Sequence, residues 1–344
     1  NDGLNTVVPY RSQQYRKLRP NIYLKADKLI TLENDLAFNF KMREMADIFS
    51  LGELAVVLGL GYPGSNRSHF KSIALWETGG DGTSGVGHSG WLTDDINGLA
   101  GSELLDAHGI SLDGGMGVFA SSDGTWISMT SIKKFQKLQH HKMEKVETNN
   151  PALSLLLNRS NELNSAMESI SKKLGDFNDS ENIRGGQLGD QLQLALNCIS
   201  AGINSPVIKV SHGSFDTHEN QSWRHNDLLA DLSMAISDTR KQLIKMDEWQ
   251  NTLIMTYSEF GRAAYENASK GTDHGTAAPH FLIGGGVQGG FYGKQPSLNN
   301  LEDGDMVFTT DYRSFYDTIL GSWFSINNNK FSEFNMPGLQ KIIL

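Results

Sequence analysis

The sequence predicts an α/β fold: a mostly parallel central sheet between two layers of helices, a three-layer sandwich. Three observations carry it. The run Leu54-Ala55-Val56-Val57-Leu58-Gly59-Leu60 is unbroken and apolar, as a strand buried on both faces must be. Two shorter apolar runs, at 206–210 and 252–256, follow much later. Stretches with helical spacing lie between them, and alternation of strand and helix favours a parallel sheet. The three runs are therefore expected side by side in one sheet.

The elements follow in order. Gly61-Tyr62-Pro63-Gly64 ends the first strand, and 66–76 reads as a helix with Asn66 as its N-cap. Residues 79–90 are rich in Gly, Ser and Thr and read as a loop. Ser121-Ser122-Asp123-Gly124 between 118–120 and 125–129 is a hairpin signal. Leu153, Leu156, Leu163, Met167, Ile170 and Leu174 keep helical spacing over 151–174, and a second helix is expected near 187–201. Leu229, Leu232, Ile236, Leu243 and Met246 mark a long amphipathic helix. A short strand at 281–284 and a helix at 312–324 complete the pattern. The chain is thus expected as one domain, 1–344, with a loop, hairpin and helical insertion around 79–185.

Composition narrows the function. The chain has 344 residues, net charge −9 and 38% hydrophobic residues, with a mean hydropathy of −0.36. No apolar run is long enough to span a bilayer. Lys and Arg are scattered on an acidic chain, which disfavours a nucleic-acid partner. Lys133 to Lys145 is basic and polar and reads as a solvated face or loop. The single cysteine, Cys198, falls in a helical pattern and reads as a buried structural thiol. Gly284 to Gly290 follows a strand but opens no helix and lacks the Lys-Ser/Thr of a phosphate loop, so it reads as a turn.

Two loops carry the chemistry. Ser214-Phe215-Asp216-Thr217-His218 and Gly271-Thr272-Asp273-His274-Gly275 each place carboxylate and imidazole together, the donors a divalent metal needs. Asp216, His218 and Glu259 lie just past strand ends, where open α/β sheets bind ligands. Each has a plainer reading. Asp216 can cap the next helix, His218 can be a surface residue, and Glu259 can pair with Arg262. Asp273-His274 has no packing explanation, because its loop is without apolar residues. Ser68, between Arg67 and His69, reads equally as a helix cap and as a nucleophile at a helix N-terminus.

Several stretches point the same way. They are 1–10, Gly61-Tyr62-Pro63 with Asn66-Arg67-Ser68-His69-Phe70, and Phe215-Asp216-Thr217-His218 with Asn220-Gln221. Ser258-Glu259-Phe260-Gly261-Arg262, 271–277 and Thr309-Thr310-Asp311-Tyr312-Arg313 complete the set. Over nearly the whole chain this resembles the bacterial "domain of unknown function 1501" (DUF1501) family. The resemblance implies an exported protein, periplasmic or secreted, often with a twin-arginine signal; the chain's start at Asn1-Asp2-Gly3, without Met, also predicts an upstream segment that is removed. It further implies an alkaline phosphatase- and sulfatase-like fold. On that superfamily's pattern Asp2, Asp216, His218, Glu259 and His274 are expected as metal ligands and Ser68 as nucleophile, with Asp273 as a further ligand that compensates for Phe260. Phe260 stands where the superfamily carries a metal-binding His.

The expected activity is metal-dependent hydrolysis of phosphate or sulfate esters. Ser68 or a metal-bound water attacks, and Arg67 or Arg262 holds the anionic oxygens of a small ester substrate. Zinc is the first expectation for the metal, with manganese, magnesium or calcium as alternatives. Two rivals are a non-catalytic exported binding or scaffold protein on the same fold, and a metal-dependent phosphomutase-type isomerase.

Overall fold

The computed structural model describes residues 1–138, 148–175, 182–326, 330–334, 339 and 342–343. The chain forms two compact units, one joining 1–88 to 213–344 and the other spanning 89–212. The segment expected as an insertion, around 79–185, mostly falls in the second.

The first unit is organised by the Leu54–Gly61 strand, buried at every position. On one side it pairs with Gly290–Gly293 and Thr310–Asp311, both parallel to it. On the other it pairs antiparallel with Ala278–Gly284, which is also fully buried. Leu253–Met255 pairs antiparallel with Ala278–Gly284 in turn, and so runs parallel to Leu54–Gly61. The sheet is mixed: four strands share a direction and one opposes them. The Leu54–Gly61 strand takes an extra residue between Val57 and Leu60 against its antiparallel neighbour. Gly59 sits there at φ 65°, and a Cβ would lie 2.0 Å from Thr309 Oγ1, so only glycine makes this bulge.

Helices cover the sheet. Arg43–Ser50 packs on Gln221–Lys245, where Met45 N–H donates to Ser233 Oγ at 3.1 Å. Phe38 meets Phe281 of the sheet edge-to-face at 6.1 Å. Trp76 of the His69–Thr78 helix stacks on Tyr312 of the Tyr312–Thr318 helix at 4.1 Å. A small antiparallel sheet, with Ala37–Asn39 between Val7–Val8 and Leu29–Thr31, holds the N-terminal segment.

Two sequence expectations are corrected here. The 206–210 run is not beside the other two. Ile208–Lys209 pairs with Gly109–Ser111 in the second unit, in a separate three-stranded parallel sheet. Only two residues pair, both half-buried, Pro206 has no N–H to offer, and Lys209 is tied to Asp113 at 2.6 Å. The hairpin at 118–129 is also absent. Gly117–Phe119 is a 3-10 turn, and Trp126–Ser128 pairs parallel with Gly109–Ser111.

In the second unit the helices Pro151–Leu174 and Gly186–Ser200 close over that sheet through Ile110, Ile127, Ile170, Leu174, Leu194 and Cys198. Burial pushes the Cys198 thiol up to about 12, which makes it inert. Of the basic stretch from Lys133 to Lys145, residues 133–138 lie in the Ile132–Leu138 helix and 139–145 lie outside the described residues. Among the described residues no helix is long and apolar enough to cross a membrane.

Candidate metal centre

Three loops of the first unit build the site. The first leaves the Leu54–Gly61 strand and ends at His69, the first residue of the His69–Thr78 helix. That helix begins three residues later than its sequence suggests, because the Asn66 side chain accepts the Ser68 N–H at 2.8 Å and holds the chain in a turn. The second loop carries Asp216 and His218 and enters the Gln221–Lys245 helix through Asn220, in the left-handed region at φ 43°. The third runs from Glu259 to His274 and doubles back, with Arg262 bridging His274 antiparallel. Gly271 lets it press on the second loop: a Cβ there would lie 2.2 Å from the His218 carbonyl carbon.

Asp216 is the hub. Its Oδ1 lies 2.9 Å from His218 Nε2, 3.0 Å from His274 Nε2 and 2.6 Å from Arg262 Nη1. Its Oδ2 lies 3.3 Å from His69 Nε2. His69, Asp216 and His274 each offer one ligand atom, and these lie within 4.8 Å of one another. His218 Nε2 is a further donor, 3.0 Å from His274 Nε2.

The other nitrogen of each ring is already engaged. His69 Nδ1 lies 2.7 Å from Glu259 Oε1, His218 Nδ1 lies 3.3 Å from Asp273 Oδ1, and His274 Nδ1 lies 2.8 Å from the Arg67 carbonyl. All three partners are acceptors, so each Nδ1 donates to its own partner, and each Nε2 points at Asp216, where it can meet the carboxylate as an N–H or offer a lone pair to a cation. This is how proteins orient metal-ligating imidazoles. Glu259 and Asp273, expected as ligands, hold the backs of the rings instead.

The carboxylates are anionic at neutral pH. Burial alone would raise the Asp216 carboxyl, but bonds from Arg262 and His274 and the Arg262 charge hold it well below the usual range. Burial opposes ionisation of Glu259 too, and is outweighed by its own backbone N–H, His69 and Ser258. The Asn267 side chain is the main cause of the lowered Asp273 value.

The remaining expected residues are placed as follows. Asp2 does not join the cluster: it is fully buried, with Arg19 Nη1 at 2.8 and 2.7 Å from its two oxygens and Gln221 on one of them. Arg262 is committed to Asp216 and to Thr272, whose carbonyl accepts from Nη2 at 2.5 Å, and it does not pair with Glu259. Arg67 is half-exposed and tethered to Asp305 at 2.5 Å. Ser68 is exposed at the N-cap position, yet its side chain makes no capping bond. Asp216 caps nothing; Asn220 holds that position. Phe260 is buried and packs its ring 4.9 Å from His69 and 4.4 Å from His274, an apolar wall behind both.

His69 is the site residue that sequence reasoning missed, since attention fell on Ser68 beside it. Its signal was available: a histidine at the start of the helix that follows a buried strand and its loop. Gln221 and Thr272, buried beneath the cluster, lie in the stretches that carry the family resemblance, but nothing in the sequence marks them as supports of Arg262.

A family model described as "Protein of unknown function (DUF1501)" matches residues 58–330. No curated protein and no solved structure matches the chain.

Proposed function

This chain belongs to the DUF1501 family, and from that premise we propose that it is a metal-dependent hydrolase of phosphate or sulfate esters on an alkaline phosphatase-like fold, exported to the periplasm or beyond. One observation carries the reading. Three imidazole Nε2 atoms converge on Asp216 while all three Nδ1 atoms are bound to acceptors. With each Nδ1 committed, the Nε2 atoms are available to a cation, and two of them 3.0 Å apart need a cation or a proton between them. His69, Asp216 and His274 offer ligand atoms within 4.8 Å of one another, and His218 Nε2 lies 3.0 Å from His274 Nε2, so modest side-chain shifts bring them to the roughly 2.0–2.1 Å bonds one ion requires.

His69, His218, His274 and Asp216 hold the cation in this reading. Imidazole-rich donors favour zinc over magnesium or calcium, which prefer all-oxygen sites, with manganese as the next choice. A divalent cation bound there supplies Lewis acidity: it acidifies water or a hydroxyl and neutralises charge developing on the ester. The chain supplies the rest. Glu259, Asp273 and the Arg67 carbonyl fix the rings. The Arg67 guanidinium, steadied by Asp305, takes the anionic oxygens of the ester. With Arg262 buried, Arg67 is the better placed of the two arginines. Ser68 lies between Arg67 and His69 with a hydroxyl not used for capping, and is the nucleophile of choice; a water is the alternative.

The rival is a non-catalytic binding or scaffold protein on the same fold, with the site kept for structural metal or lost. The openness of the cluster favours it: the Asp216 side chain is 46% exposed and that of Asp273 53%, where a hydrolase gains from excluding water. Elemental analysis of protein purified without chelators, followed by a screen of phosphate and sulfate esters, decides between them. Bound metal with chelator-sensitive turnover supports the hydrolase. Bound metal with no turnover moves the rival ahead, and protein that takes up no divalent cation removes the hydrolase and leaves the rival with a lost site.

A further inference from the structure

We propose that the site takes a single divalent cation, because the Arg262 guanidinium is a built-in cation filling the second cationic position beside Asp216, held there by Thr272 and Gln221. This rests on the metal centre proposed above and adds its stoichiometry and a positioning residue.

The guanidinium is fixed. The Arg262 side chain is 1% exposed, and its Nη1 is 2.6 Å from Asp216 Oδ1. Its Nε donates to Thr272 Oγ1 at 3.2 Å, and its Nη2 to the Thr272 carbonyl at 2.5 Å. Thr272 Oγ1 donates to Gln221 Oε1 at 2.6 Å, and Gln221 Nε2 donates to Asp2 Oδ2, which Arg19 neutralises. The relay is buried throughout, so Arg262 cannot swing aside to admit a metal ion in its place.

The charges agree. Asp216, Glu259 and Asp273 bring three negative charges, and Arg262 removes one. One dication neutralises the remaining two; a second would leave an uncompensated double charge against a guanidinium. Arg262 also occupies Oδ1 of Asp216, while Oδ2 faces His69. It acts through Asp216 and is a positioning residue.

The test uses the full chain, stripped with chelator and titrated with Co²⁺, read by absorbance and confirmed by elemental analysis. Saturation at one equivalent per chain is expected; two equivalents overturn the inference. Thr272→Val and Gln221→Leu loosen Arg262 without removing a ligand. Each is expected to weaken Co²⁺ binding measurably, by no more than the roughly 10–100-fold that losing a direct partner of a ligand costs, while saturation stays at one equivalent and circular dichroism is unchanged. Thr272→Ser, which keeps the hydroxyl, is expected to restore the affinity. Folded variants that bind as tightly as wild type overturn the positioning role and leave the metal centre standing. A wild type that takes up no divalent cation overturns both.

Discussion

His218 and His274 face each other with their Nε2 atoms 3.0 Å apart, while each Nδ1 faces an acceptor of its own. The contact is favourable only with a cation or a shared proton in it. Because the rings come from loops 56 residues apart in sequence, their meeting is built by the fold.

His69→Ala is expected to remove more binding than the roughly 10–100-fold that a lost outer partner costs, since it deletes a ligand. Metal content after dialysis, beside a melting curve in chelator, measures this. The metal-free variant should melt near the metal-free wild type, because the His69 side chain is 40% exposed. Full metal retention would remove His69 from the centre.

Asp2→Asn separates the expected ligand from the observed ion pair. Asp2 and Arg19 are both fully buried, and removing one charge leaves the other uncompensated. The expected loss is on the order of 3–5 kcal/mol of stability, with one equivalent of metal still bound. Denaturant unfolding and metal content on the same sample read both quantities. An Asp2→Asn protein of wild-type stability that binds no metal would restore Asp2 as a ligand.

The sequence carried the elements better than their neighbours. The helix read at 151–174 is found as Pro151–Leu174, since its apolar spacing is regular and proline opens it. The run at 206–210 is a strand, but nothing within it names the strand beside it, and the structure puts it in the other unit. Asp216, His218 and His274 were legible because a loop without apolar residues needs a polar reason to exist. The roles of Glu259 and Asp273 were not, since a carboxylate one atom behind a ring and one facing a metal have the same sequence. The burial of Arg262 under Asp216 was not legible for a similar reason: it depends on Thr272 in its own loop and on Gln221 at the start of a helix earlier in the chain.

Ser68→Ala separates the cap from the nucleophile. A capping serine would cost about 1 kcal/mol on removal, but Ser68 makes no capping bond. The melting temperature and metal content are therefore expected to stay at wild-type values while ester hydrolysis is lost. Retained turnover would pass the nucleophile's role to water.

Stability should fall as the solution is acidified from neutral, and two histidines away from the metal ligands set the window. His225 and His280 are 1% and 4% exposed. Burial pulls their values down, from an ordinary 6.5 to about 4 for His225 and about 3 for His280. Both are neutral in the folded chain at pH 6, while the unfolded chain begins to protonate them near 6.5. The unfolded state then binds more protons, so their contribution is complete above about pH 6.5 and is lost as pH drops toward 4 and 3. For His225 the loss is on the order of 3 kcal/mol. The depressed carboxylates Asp216, Glu259 and Asp273 act in the same direction at lower pH, where unfolded carboxylates take up protons. Melting temperatures between pH 7.5 and 4.5, taken in chelator so that metal release adds nothing, should decline through this range. His280→Leu should flatten the decline. A melting temperature that holds level or rises from pH 7 to 5 would mean that neither histidine is kept neutral by burial.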